Sequence, residues 1–235
     1  MSDVPAAEPA IVARGLTVRG PTGPVYGPLD LDVDAGGVTV LRCPAGLGRT
    51  ALSMTLAGRM RPTSGTLSVF GRGEARAIFA HAALAGFTEL DTLAEPVTVG
   101  DVITEQLRWN ARWCKRIRRA GEAELARVCA PVFGELPLPA LGEHIEELTE
   151  LDGLLLRIAL ANTARPPLLV VGGLEQVTGQ HARDLLVGRL VALGRDQTVL
   201  TADVDEVHGH PVRQLPVALL AEPRSEPTEQ QRGGA

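Results

Sequence analysis

Aromatic side chains are scarce, at 3 % of 235 residues, so any core must be built from Leu, Val, Ile and Ala. Lysine is scarcer still: Lys115 is the only one, and every other member of the 23 Lys and Arg residues is arginine. The three cysteines, Cys43, Cys114 and Cys129, are too few and too scattered for a disulfide framework or a metal cluster, which fits a reducing compartment. No apolar run reaches the ~18 residues that a membrane-spanning helix needs, and the N-terminus lacks a basic-then-apolar signal pattern. What is present is a folding composition, 45 % hydrophobic with net charge −5. The dispersed acids argue against nucleic acid as a partner.

The chain alternates strand and helix patterns. Ile11–Arg19 and Val25–Val33 alternate apolar and polar residues across a Gly-Pro turn cluster at 20–24, as two strands of a hairpin would. Val38–Leu41 is a short buried strand, Ala51–Ala57 has helical content, and Thr66–Gly71 and Ala75–Phe79 read as further strands. Residues 82–165 read as helices and loops. Thr98 with Asp101 forms a capping start, and Gly100–Arg119 continues as a helix whose end carries Lys115, Arg116, Arg118 and Arg119, where cations suit the helix dipole. Leu151–Ala164 predicts a helix, Leu168–Val171 a buried strand, Gln180–Leu193 a helix, and Thr198–Thr201 and Val217–Leu220 the last strands. This order implies an α/β fold with a mostly parallel sheet. Residues 1–9 are expected to be a flexible leader and 222–235 a disordered tail.

The stretch with chemistry is Cys43-Pro44-Ala45-Gly46-Leu47-Gly48-Arg49-Thr50-Ala51. It follows a strand and opens a helix. It reads as an altered phosphate-binding loop, G-x-x-x-x-G-K-[ST], with Cys43 at the first glycine and Arg49 at the lysine. Gly46 and Gly48 let successive backbone N–H groups turn toward one anion at a helix N-terminus. Thr50 keeps the hydroxyl that would touch magnesium.

Around this loop the order of motifs resembles the first third of an ABC-transporter nucleotide-binding domain. The resemblance is carried by Gly37-Val38-Thr39-Val40-Leu41, the phosphate loop, Ala57-Gly58-Arg59 and Pro62-Thr63-Ser64-Gly65-Thr66-Leu67. Thr98-Val99-Gly100-Asp101-Val102 resembles the segment that opens the family's helical subdomain. The resemblance implies a P-loop NTPase-like, mostly parallel sheet, an antiparallel β subdomain, and a helical subdomain at about 82–165 inserted in a domain spanning 10–221. It implies ATP and magnesium as cofactors, held by residues 43–51 with Thr50 on the metal. It further implies a membrane permease as partner, a homo- or heterodimer with another ABC domain, and a cytoplasmic location at the membrane's inner face through that partner.

The family's hydrolytic groups are where this sequence departs. Leu148-Thr149-Glu150-Leu151-Asp152 stands at the position of the partner-facing L-S-G-G-Q, with carboxylates in the first helical turn. Gly172-Gly173 stands where the metal-holding Asp and the water-polarising Glu belong, and Ala202 where the switch histidine belongs. No glutamine lies between Leu67 and Glu105, and Tyr26 is the aromatic nearest the adenine-stacking position. His208 and His210 flank a glycine without a third ligand, and His81, His144 and His181 show no partners. The expected protein is therefore an ABC-like ATP-binding subunit that binds ATP weakly if at all and hydrolyses it little or not. A nucleotide-independent interaction module is the second reading. An active ATPase using Glu175, two residues past Gly173, is the third.

Overall fold

In the computed structural model, residues 9–21, 23–87, 97–111 and 118–219 are described. The expected leader and tail, and the basic run around Lys115, lie outside these residues but for Pro9, Arg118 and Arg119. Strands β1 (Pro9–Gly20) and β2 (Gly23–Asp34) form an antiparallel hairpin, and β4 (Ser64–Val69) pairs on the other edge of β1. The second sheet is parallel. Its strands are β3 (Gly37–Arg42), β5 (Ala82–Ala85), β6 (Leu168–Val171), β7 (Thr198–Asp203) and β8 (Arg213–Pro216), in the order β5-β6-β7-β3-β8. The α/β class read from the sequence is the class observed.

The central strands β3, β6 and β7 are buried on both faces because alternate side chains serve two cores. Val38, Val40, Leu169, Val171 and Val199 point into one core, with helices α4 (Glu122–Phe133), α5 (Glu150–Ala161) and α6 (Gln180–Leu193). Leu41, Leu168, Val170 and Leu200 point into the other, shared with the antiparallel sheet and α1 (Leu47–Leu56). Of the few aromatics, Phe133 and Tyr26 are fully buried in these cores, whereas Trp109 and Phe79 are exposed.

Two short segments exchange roles relative to the sequence reading. Ala75–Phe79 is a helix, and Ala82–Ala85, read as the start of a segment of helices and loops, is the edge strand beside β6. Both are alanine-rich runs too short for periodicity to separate strand from helix. The helix expected over Gly100–Arg119 is α3 (Val99–Asn110), and Ala111 is already extended. The last strand lies at Arg213–Pro216, ahead of the expected Val217–Leu220, although the Val217 N–H still donates to the Arg42 carbonyl at 2.9 Å.

Local capping explains where helices begin. The Thr98 hydroxyl accepts from the Asp101 N–H at 3.3 Å, and the Asp101 carboxylate accepts from the Thr98 N–H at 3.2 Å, the reciprocal box expected from the sequence. Thr149 caps α5 with its hydroxyl alone, accepting from the Asp152 N–H at 3.1 Å. At the other end of α4, Arg189 from α6 donates to the Val132 carbonyl at 2.7 Å. That satisfies a terminal acceptor and ties two helices together.

Candidate functional site

Strand β3 delivers the chain to the carboxyl edge of the parallel sheet, where α/β folds place ligands. Cys43 leaves the strand with its N–H donating to the Asp203 carbonyl at 3.0 Å. Its thiol is buried, which pushes its pKa up to about 11, so Cys43 is a packing residue with no thiolate to offer. Gly46 follows with φ 131°, a conformation that glycine adopts without steric cost. Its carbonyl accepts the N–H groups of Arg49 at 3.1 Å and Thr50 at 3.2 Å, starting α1. Gly48 is pressed against the hairpin: a Cβ there would stand 3.0 Å from the Val25 carbonyl oxygen.

The first turn of α1 contains no acidic residue, and Arg49 lies within it. A cation at the positive end of a helix is unfavourable alone. The structure resolves this with Glu175, which follows β6 in a 3-10 turn at Leu174–Gln176. The Arg49 guanidinium forks onto the Glu175 carboxylate, with Nη1 donating to Oε2 at 3.3 Å and Nη2 to Oε1. The Arg49 side chain is 10 % exposed and that of Glu175 33 %. The loop's one cation is thus neutralised within its own chain, by a carboxylate at the N-terminal end of α1.

The turn that presents Glu175 is held from several sides. The Thr201 hydroxyl donates to the Gly172 carbonyl at 2.8 Å, and Gln176 Nε2 donates to the Gly173 carbonyl at 3.0 Å. The Thr178 N–H donates to Glu150 at 2.7 Å, and hydrogen bonding from Thr178 holds the Glu150 carboxyl below its ordinary pKa. Glu150, at the start of α5 in the position of the partner-facing segment, therefore binds the loop after β6 of its own chain. Asp152 is engaged as well, accepting the Thr149 hydroxyl at 2.7 Å.

Gly172 and Gly173 line this site, and a side chain at either would meet atoms already there. A Cβ at Gly172 would overlap the backbone oxygen of Gly86 and the Gln176 amide; at Gly173 it would overlap the Glu175 carboxylate. What remains open is a cavity of about 200 Å³, lined by Gly46, Arg49, Thr50, Phe87, Gly173 and Glu175 among others. Small-molecule pockets run ~300–1,000 Å³, so this cavity is smaller than the usual small-molecule pocket.

The predicted loop residues Cys43–Ala51 thus sit together at one edge of the sheet, but the metal residues do not fit magnesium. Thr50 supplies one hydroxyl, no carboxylate stands at Gly172, and Glu175 is committed to Arg49. Magnesium asks for near-octahedral oxygen coordination, usually with a protein carboxylate. Tyr26 is fully buried, with its pKa pushed up to about 12 by burial, so it offers no face to a base. Ala202 is also buried, and neighbouring Asp203 caps the Val204 N–H at 2.7 Å. His81 has a partner that the sequence did not reveal, the Ala77 carbonyl at 2.9 Å from Nδ1. His210 lies 3.8 Å from Asp184. Among the described residues no group of His, Cys, Asp and Glu is arranged to hold a metal ion, and no helix is long and apolar enough to cross a membrane.

Comparison with known proteins follows the same lines. No family model matches the chain. The cytochrome c biogenesis ATP-binding export protein CcmA from two strains of Xanthomonas campestris pv. campestris is 36 % identical over 66 residues, 28 % of this chain and 31 % of that protein. The chain thus spans about a third of the length of the curated relatives it matches. Among solved structures, cbiO1 from Clostridium perfringens, part of the ABC transporter complex cbiONQ, superposes with TM-score 0.61 at 14 % identity, covering 84 % of this chain and 79 % of that one. An ATP-binding subunit of an ABC transporter gives 0.60 at 18 %, covering 83 % and 79 %. A bacterial Atm1-family ABC exporter with ATP bound gives 0.60 at 16 %, covering 86 % of this chain and 36 % of that one. The chain has the fold of ABC-transporter ATP-binding domains, and in one segment a sequence related to that of CcmA.

Proposed function

We propose that this chain is an ABC-transporter-like ATP-binding subunit with a degenerate nucleotide site, one that binds ATP weakly and does not hydrolyse it at an enzymatic rate. The observation that carries the reading is the Arg49–Glu175 pair across a chamber floored by Gly172 and Gly173. Phosphoryl transfer depends on positioned charge around the phosphates and the metal. Here the cation is already paired and the acidic positions are glycines. Removing one positioned group of this kind commonly costs ~10²–10³ in rate, and Arg49 does not reproduce a loop lysine's compact charge.

A subunit of this kind works through others. The proposed partners are a membrane permease and an active sister ATP-binding subunit, at the cytoplasmic face of the membrane. A second reading, an interaction module that never meets nucleotide, is favoured by Glu150, which bonds the chain's own Thr178 in place of facing a partner's phosphate. Glu175 as the general base of an active ATPase is disfavoured by its engagement with Arg49.

Isothermal titration with ATP and magnesium separates these readings. Saturable heat with a Kd in the high-micromolar to millimolar range supports the degenerate subunit. No heat at millimolar ligand overturns it in favour of the interaction module, and tight binding with turnover restores the active ATPase.

A further inference from the structure

The glycines at 172 and 173 invite reading as simple losses, yet they are also what gives Glu175 its place. Glycine at 173 leaves the space that the Glu175 carboxylate occupies, since a Cβ there would overlap that group. Glycine at 172 lets β6 end against the Gly86 backbone. The turn between is held by Thr201, Gln176 and Glu150, so Glu175 is presented to Arg49 by a braced segment. Arg49 is almost wholly buried, but Glu175 is a third exposed, and its carboxylate has solvent on one side to swing into.

We propose that Glu175 is a displaceable plug: its carboxylate stands in for a phosphate on Arg49, and a small polyphosphate anion enters the loop only by pushing it out. This rests on the degenerate-site reading and deepens it. The weakness of binding is then an active feature of the chain, since an anion must compete with a tethered carboxylate at high effective concentration. The cavity of about 200 Å³ matches a phosphate or pyrophosphate group. With no carboxylate at Gly172, entry of the anion does not depend on a divalent cation.

The plug can be removed by two independent routes. Glu175→Ala deletes the carboxylate. Gly173→Ala keeps it but places a methyl where it rests, and Gly173 has φ −63°, which alanine adopts freely. The obstructing atoms belong to the mobile end of a side chain, so the fold should tolerate the change. Titration calorimetry with inorganic pyrophosphate, without magnesium and at fixed ionic strength, is the test, with circular dichroism as the check on folding. Both variants should bind pyrophosphate about tenfold or more tighter than the wild type, the equivalent of ~1.4 kcal/mol. Arg49→Ala combined with Glu175→Ala should lose the gain. Folded Glu175→Ala and Gly173→Ala variants that bind no tighter than the wild type overturn the plug. That failure is distinct from failure of the degenerate-site reading, which would appear as ATP turnover by the wild-type chain.

Discussion

Placing acids at Gly172 and Gly173 should harm this protein, because atoms of its own chain already fill the space they would need. Gly172 is buried at the end of β6, and a Cβ there would run into the backbone oxygen of Gly86 as well as the Gln176 amide. A side-chain amide can turn away; a backbone oxygen at the end of the neighbouring strand β5 cannot move without shifting that strand. Gly172→Ala tests the steric part alone, and overpacking of this kind costs ~1–3 kcal/mol. Gly172→Asp adds a carboxylate in a buried position without a free cation, since Arg49 is already paired, and an uncompensated buried charge costs ~3–5 kcal/mol. For a chain of this size each kcal/mol lowers Tm by ~2–4 °C, so the buried charge of Gly172→Asp should lower Tm by roughly 6–20 °C on top of the steric part, which alone lowers Gly172→Ala by roughly 2–12 °C. Gly173→Ala, which meets the end of Glu175 and moves it off Arg49, should lose ~1–3 kcal/mol. Thermal unfolding followed by circular dichroism measures all of these variants. A Gly172→Asp protein with wild-type Tm, or one with restored ATP hydrolysis, would refute the claim that this space is already filled.

Further outcomes follow from the same geometry. Thr98→Ala and Thr149→Ala each remove a helix cap and should cost ~1 kcal/mol in chemical denaturation; no change in the midpoint would count against the capping roles. Burial holds the Cys43 and Cys129 thiols protonated, with pKa values pushed up to about 11 and about 12. At pH 8 both should resist iodoacetamide in the folded protein and react once it is unfolded, as peptide mass spectrometry would read; rapid native labelling of Cys43 would contradict its packing role. Glu150 and Asp101 are held below their ordinary pKa by hydrogen bonds from Thr178 and Thr98. The unfolded chain therefore takes up protons first as pH falls, and the stability these groups add is present above the ordinary carboxylate range and lost below it. Glu150→Gln should flatten part of the decline in denaturation midpoint from pH 4.5 downward, and an unchanged slope would speak against the Thr178 bond.

The parallel sheet was legible because Val38–Leu41 and Leu168–Val171 are continuous apolar runs, and only a strand buried on both faces needs them. The loop was legible because Gly46 and Gly48 stand at a strand-to-helix junction. Two elements near it were not. Ala75–Phe79 is only five residues long and Ala82–Ala85 is mostly alanine, which marks neither face, and only pairing with β6 makes the second a strand. The Arg49–Glu175 pair was half legible. The sequence showed an arginine at the lysine position and an acid just past the missing acids. It could not show that the two meet, because they lie 126 residues apart. Glu175 drew notice as a possible catalyst, whereas the structure places it against the loop's cation. Tyr26, the aromatic nearest the stacking position in sequence, is carried inward by the alternation of β2 and spent on the core.

The most direct measurement of the central claim is steady-state phosphate release from ATP and magnesium by the purified wild-type chain, run beside Arg49→Ala. Functional enzymes commonly turn over at ~1–10³ per second. The account predicts a rate at background and indistinguishable between the two proteins. Release at an enzymatic rate that disappears in Arg49→Ala would contradict it.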